Sequence, residues 1–290
     1  MEFYHLYPPE FLDLLGHNYE SDSYIGQGNP ASKILIVGKE CSCDKDNYDV
    51  RNNAEIWRTI SPENIKNWFD SGWDWKEYHP RQPFKGQLFL RDNKNETIEK
   101  NNRGTSVTWM SYQKFINMLL PKDSQVQAKH QLNFYEYCFL TELSSYCLRT
   151  SKKNPETKKS IAQRLSPNGI LAHSFFKQFP VVILGVYRYI DWYKDLSIIE
   201  NFDCGVMNYK YKGIVVSEKE YSQYDEKTKK RLPLYRPNNF FKKGEFINVH
   251  ESVDGKHVLL HTNHFVDNFH PRSEDWMKEL ADLVCRYLNR

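Results

Sequence analysis

The chain has 290 residues, is 40% hydrophobic and 15% aromatic, and carries a formal net charge of +3. That length suits one large core and is read as a single domain over 1–290. No run approaches the ~18 apolar residues of a membrane span, and the N-terminus, MEFYHLYPPEFLDLL, has acids and prolines where a secretory leader has a basic start and an apolar middle. The expectation is a cytoplasmic monomer.

In chain order, a short helical pattern opens residues 1–30, which then turn polar and glycine-rich. Lys33 to Gly38 (KILIVG) is a β-branched apolar run ended by glycine, the pattern of a buried parallel strand. Residues 69–104 are polar and hold Trp73, Trp75 and the run RDNKNETIEKNNRG, which reads as a surface insertion. A helix is predicted over Ser106 to Leu120, a strand over Tyr137 to Leu143, a helix over Ser160 to Phe179 and a strand over Val181 to Gly185. Short β-like pieces (GIVVS, FINVH) lie within 205–250. A strand over His257 to Leu260 and a helix over Ser273 to Tyr287 complete the chain. Strands alternating with helices predict an α/β fold, with a central parallel four-stranded sheet covered by helices.

Six cysteines at positions 41, 43, 138, 147, 204 and 285 form no disulfide framework, and Cys41-Ser-Cys43 is too tight for the usual zinc pair. No metal and no cofactor is expected. The charge is unevenly spread. Residues 149–164 hold six basic residues against one acid, with Lys152 and Lys153 among them. Residues 227–243 hold seven and no acid, including Lys229, Lys230 and Arg231, interleaved with Tyr235, Phe240 and Phe241. Cations to meet phosphates and rings to stack on bases make DNA the expected partner, with Arg272 a further contact.

In an open parallel sheet, ligands gather at the carboxyl ends of strands. The loop after the first strand reads Gly38-Lys39-Glu40-Cys41-Ser42-Cys43-Asp44, placing two carboxylates, Glu40 and Asp44, at the sheet mouth. The stretch GNPASKILIVGKE resembles the opening of the uracil-DNA glycosylase superfamily, in which a polar lead-in precedes an apolar strand ending in G-Q-D-P-Y or G-E-x-P-G. On the first pattern Gly38 matches the glycine, Lys39 the glutamine and Glu40 the water-orienting aspartate, while Cys41 and Ser42 replace the proline and tyrosine. Glu142 falls on the base-reading asparagine, followed by Ser144 and Ser145. After the last strand, His261-Thr262-Asn263-His264-Phe265 is similar to the family's T-Y-H-P segment. That alignment puts His264 on the histidine that stabilises the departing base, with His261 and His270 as alternatives.

The resemblance implies a monofunctional DNA glycosylase that flips a nucleotide into a pocket and leaves an abasic site. Its catalytic residues would be Glu40 and His264, joined by Asp44 and His261. Gly38, Ser42, Glu142, Ser144, Asn263 and Phe265 would meet the substrate, with Phe265 or Val266 as a candidate wedge. An ionised Glu142 only accepts hydrogen bonds, which suits the N4 amine of a cytosine over the O4 of uracil. A modified cytosine, as in decorated viral DNA, is therefore the favoured target, and defence a fitting purpose. A non-catalytic nucleic-acid-binding protein and an unrelated hydrolase of nucleosides are the competing readings.

Overall fold

A computed structural model describes residues 7–17, 24–40, 53–59, 107–126, 132–148, 151–202, 207–212, 245–252, 254–267 and 270–289. The insertion expected at 69–104, the GIVVS piece, and Ser42, Asp44, Lys229, Lys230 and Arg231 lie outside them. In chain order the elements are α1 (Pro9–Gly16), β1 (Gln27–Gly28), β2 (Ile34–Glu40), α2 (Asn53–Thr59), α3 (Val107–Leu119), β3 (Phe139–Ser144), α4 (Pro155–Leu165), β4 (Val181–Leu184), α5 (Tyr189–Trp192), α6 (Ile198–Phe202), β5 (Met207–Lys212), β6 (Ile247–Ser252), β7 (Val258–Thr262), β8 (Val266–Asp267), β9 (His270–Pro271) and α7 (Glu274–Leu288). Among the described residues no helix is long and apolar enough to cross a membrane.

The chain forms two compact units. The first comprises Met1–Leu88, Tyr135–Phe179 and Arg188–Phe202; the second comprises Phe89–Phe134, Pro180–Tyr187 and Asp203–Arg290.

In the first unit β3 lies between β1 and β2, antiparallel to β1 and parallel to β2. The register sets Gly38 beside Glu142 and Glu40 beside Ser144. Ile34 to Val37 are buried one after another, as a strand covered on both faces requires. An aromatic cluster of Phe11, Trp57, Phe139 and Phe175 fills the core, with ring centroids 4.8–6.2 Å apart. α4 begins where Asn154 accepts a hydrogen bond from the Glu156 amide and Pro155 occupies the first turn. The helix expected over Ser160–Phe179 is corrected to α4 followed by two 3₁₀ turns, Ile170–Ala172 and Ser174–Lys177. The cause is Ser166-Pro167-Asn168-Gly169, whose proline cannot extend the helical ladder.

In the second unit β4 runs parallel to β7, while β6 and then β5 continue antiparallel. The β structure is therefore mixed, which corrects the expectation of a purely parallel four-stranded sheet. The reason is local. Asp254-Gly255 turns the chain sharply between β6 and β7, with Gly255 at φ 70° and the Ser252 hydroxyl donating to Asp254 at 2.6 Å. α7 starts at Ser273, whose hydroxyl accepts from the Trp276 amide, and buries Trp276, Leu280 and Val284. Both remaining predicted helices agree with α3 and α7 to within a residue or so at each end.

Candidate active site

Two of the expected site residues meet in the first unit. β2 continues through Glu40 instead of ending at Gly38, so Glu40 is a strand residue. Glu40 and Gly38, two apart on β2, face the same side, and Glu142 pairs with Gly38 in register. Glu40 and Glu142 thus project from one face of adjacent strands. Gly38 makes this arrangement sterically feasible. A Cβ there would lie 2.1 Å from Glu142 Oε2, so only glycine lets that carboxyl lie across β2.

Glu40 is clamped through both oxygens. The Ser151 hydroxyl donates to Oε1 at 2.6 Å, and the Tyr189 hydroxyl donates to Oε2 at 2.5 Å. Burial pushes the Glu40 carboxyl above its ordinary range, opposed by the Ser151 and Tyr189 hydrogen bonds and by Lys39. Burial first, and the Glu40 charge second, push the Tyr189 phenol above its usual range. Tyr189 is fully buried against the rings of Trp192 and Tyr193, and Lys39 Nζ sits 5.8 Å from its centroid.

Glu142 is pushed up to about 8, first by burial and then by the charge of Glu40, against the pull of Arg164 and Lys39. Its Oε2 is buried and accepts no hydrogen bond. Arg164, nearly fully buried, donates to the Tyr24 carbonyl at 2.9 Å. Burial beside a second carboxylate thus works against the ionised form that the sequence reading assumed for Glu142. Ser144 is fully buried, with its hydroxyl accepting from the Tyr146 amide. It shapes the turn after β3 and is closed to a substrate. Lys152 and Lys153 are exposed on the approach to α4.

The other expected residues lie in the second unit. β7 extends to Thr262, taking His261 into the strand. Both His261 nitrogens are engaged: Nδ1 lies 3.3 Å from the Asn248 amide and Nε2 lies 3.1 Å from the Tyr187 carbonyl. The histidine therefore donates from Nε2 and accepts at Nδ1, a structural arrangement. Asn263 is buried and accepts from the Phe246 amide at 2.7 Å, which ties down the entry to β6. Phe265 is fully buried among Tyr112, Phe115 and Trp276, with centroids 4.8–5.3 Å away. This corrects its reading as a wedge, since an apolar ring gains more from the core than from solvent. His264 keeps partial exposure, and its Nδ1 accepts from the Val266 amide at 3.3 Å. Arg272 Nε donates to the His264 carbonyl at 2.9 Å. The guanidinium thus braces the histidine loop.

His250, also buried, is held down to about 4, first by burial and then by the charge of His261. A depressed folded pKa contributes stability above the unfolded value and loses it on acidification. The window here runs from about pH 6.5 down to about pH 4. Unfolding free energies from urea denaturation at pH 7 and pH 4.5 are expected to fall less in His250→Gln than in wild type, by an amount on the order of 2–3 kcal/mol. Equal falls would remove His250 as the source.

Asp13, His17 and His173 bring three possible metal-ligand atoms within 4.8 Å of one another. His173 Nδ1 accepts from the Phe175 amide, which leaves the ring proton on Nε2, the nitrogen 3.1 Å from Asp13. A metal would need that nitrogen bare, so the cluster is better suited to a hydrogen-bonded staple of α1.

Sequence reading missed Ser151 and Tyr189. Ser151 lies in a basic run that drew attention for charge. Tyr189 lies in the aromatic run YRYIDWY after β4, where one tyrosine cannot be told from another. Comparison of the chain with protein-family models, with curated proteins and with solved structures found no match.

Proposed function

We propose that the protein is an N-glycosyl hydrolase that acts on DNA, releasing a base and leaving an abasic site. The observation that carries the reading is the Glu40 carboxylate, clamped by Ser151 and Tyr189 beside a second carboxyl. Hydrolysis of a glycosidic bond needs a base to orient and deprotonate water, a negative charge to face the cationic sugar, and a proton for the leaving group. Glu40 supplies the first two. The basic runs at 149–164 and 227–243 support a polyanionic substrate.

A base whose edge matches Glu142 deepens the reading. As a neutral acid, Glu142 donates to a ring N3 and accepts from an N4 amine, the edge of a cytosine. With the proton on the other oxygen it matches O4 and N3–H of uracil equally well. Once ionised it still accepts from the N4 amine of a cytosine or the N3–H of uracil, but it repels the acceptor beside each, N3 or O4. Both edges are thus met by the neutral acid, and release of a modified cytosine, the proposed target, falls as pH rises through about 8.

The test is a panel of duplexes carrying uracil, hydroxymethylcytosine or glycosylated cytosine, incubated at pH 7 and pH 9 and then cleaved with alkali. Strand breaks at modified cytosine at pH 7, and fewer at pH 9 where Glu142 has lost its proton, are expected. No breaks in any duplex would end the glycosylase reading. Release of uracil alone would end the modified-cytosine reading.

A further inference from the structure

We propose that Glu40 and Glu142 share one proton, held on Glu142, so that a fixed carboxylate base stands beside a neutral carboxylic acid. The use of that acid as a proton donor rests on the hydrolase reading above; the placing of the proton does not. The two side chains leave the same face of β2 and β3, and the bare Cα of Gly38 lets the Glu142 carboxyl lie across β2, two residues from Glu40 on that strand. Buried on one face of neighbouring strands, with the charge of one raising the other, the two carboxyls resist ionising together.

Counting donors decides which one keeps the proton. Each Glu40 oxygen accepts from a hydroxyl, Ser151 on one side and Tyr189 on the other. A protonated Glu40 would have to turn one of those hydroxyls away. Glu142 Oε2, by contrast, is buried and accepts nothing, so an anion there would be left without a hydrogen-bond donor. The other groups that face the pair are Lys39 from β2, Arg164 from α4 and Tyr189 from α5. Arg164 spends its terminal nitrogens on the Tyr24 carbonyl and the Thr141 hydroxyl, and so acts on Glu142 through space.

The pair completes a hydrolysis without a further co-reactant. The bond between C1′ and the base nitrogen breaks with its electron pair on the base, and Glu142 gives the base its proton. The water oxygen bonds to C1′, and the proton it sheds goes to Glu40. Passing that proton to Glu142 resets the pair. In this scheme Ser151 and Tyr189 are positioning residues that keep Glu40 the anion.

The test is carboxyl NMR of protein labelled with ¹³C at the glutamate side-chain carboxyl, titrated as wild type, Glu142→Gln, Glu40→Gln and Gly38→Ala. One wild-type carboxyl should titrate near pH 8 and be missing from Glu142→Gln. In Glu40→Gln it should fall by about one unit or more, because the neighbouring charge is gone. Gly38→Ala moves the same titration by displacing the carboxyl without removing it, which covers the case of a Glu142→Gln that does not fold. Wild-type glutamates that all finish titrating below about pH 6, or a pH 8 signal that survives Glu142→Gln, would overturn the proposal. The titration does not depend on base release, so the glycosylase reading can fail on the DNA panel while the shared proton stands, and the reverse.

Discussion

Glu40→Gln is expected to lower single-turnover base release by about 100-fold or more while leaving DNA affinity nearly unchanged. The amide keeps the shape of the carboxylate but loses what the reaction uses. It takes no proton from water and sets no negative charge against a cationic sugar, and both demands arise only in the transition state. Its NH₂ group would also meet the Tyr189 hydroxyl as donor to donor, since Tyr189 now donates to Oε2. Tyr189→Phe separates the two effects. It leaves the carboxylate in place but frees one oxygen, so its loss of rate should be smaller and its pH profile shifted. Quench-flow measurement with enzyme in excess reads the chemical step directly. A Glu40→Gln variant that keeps a near wild-type rate would remove Glu40 from the chemistry.

The second large effect is one of stability. Phe265→Ala is expected to cost about 3–5 kcal/mol, the range for removing a fully buried phenylalanine. Tyr112, Phe115 and Trp276 surround the ring edge-on and come from two different helices, α3 and α7. Three rigid rings line the cavity that would be left, and the loss should appear as a lower urea midpoint with an unchanged slope. Had Phe265 been a wedge that waits for DNA, the same substitution would leave stability within ~0.5 kcal/mol and weaken only DNA binding. The two outcomes are far enough apart for a single denaturation curve to decide between them.

Much of the fold was legible in local pattern. The run Ile34 to Val37 announced a buried strand because four consecutive apolar, mostly β-branched residues have few other stable homes. Ser273 before an amphipathic run marked the start of α7 by capping chemistry alone. Pro167 and Gly169 should have ended the helix after α4 for equally local reasons. Asp254-Gly255 likewise carried the signal of the antiparallel turn that makes the β structure mixed. Both were present in the residues and were outweighed by a pattern of alternating strands and helices.

The site is a different matter. Gly38 and Glu40 stood out as a glycine and an acid at the end of an apolar strand, while Glu142 stood out only through the resemblance, which set it on a base-reading asparagine. What those acids do was decided by contacts more than 100 residues apart in sequence. Ser151 and Tyr189 reach Glu40 across separations of 111 and 149 residues, and no local periodicity encodes such a meeting. The charge state of Glu142 follows from burial, from a neighbour on the adjacent strand and from an oxygen without a donor. Each is a property of the packed interior, where low polarizability makes an unpaired charge costly. The histidine segment shows the same division. Three histidines in ten residues were visible as a cluster, but which of them is tied into the strand and which keeps some exposure depended on where β7 ends. One residue of extension turns a loop ligand into a strand residue with both nitrogens engaged, as at His261. Residue chemistry, spacing and turn signals are local, so sequence determined the elements and the short list of candidate acids. Proton placement and side-chain partners depend on distance and burial, and only the tertiary structure decided them.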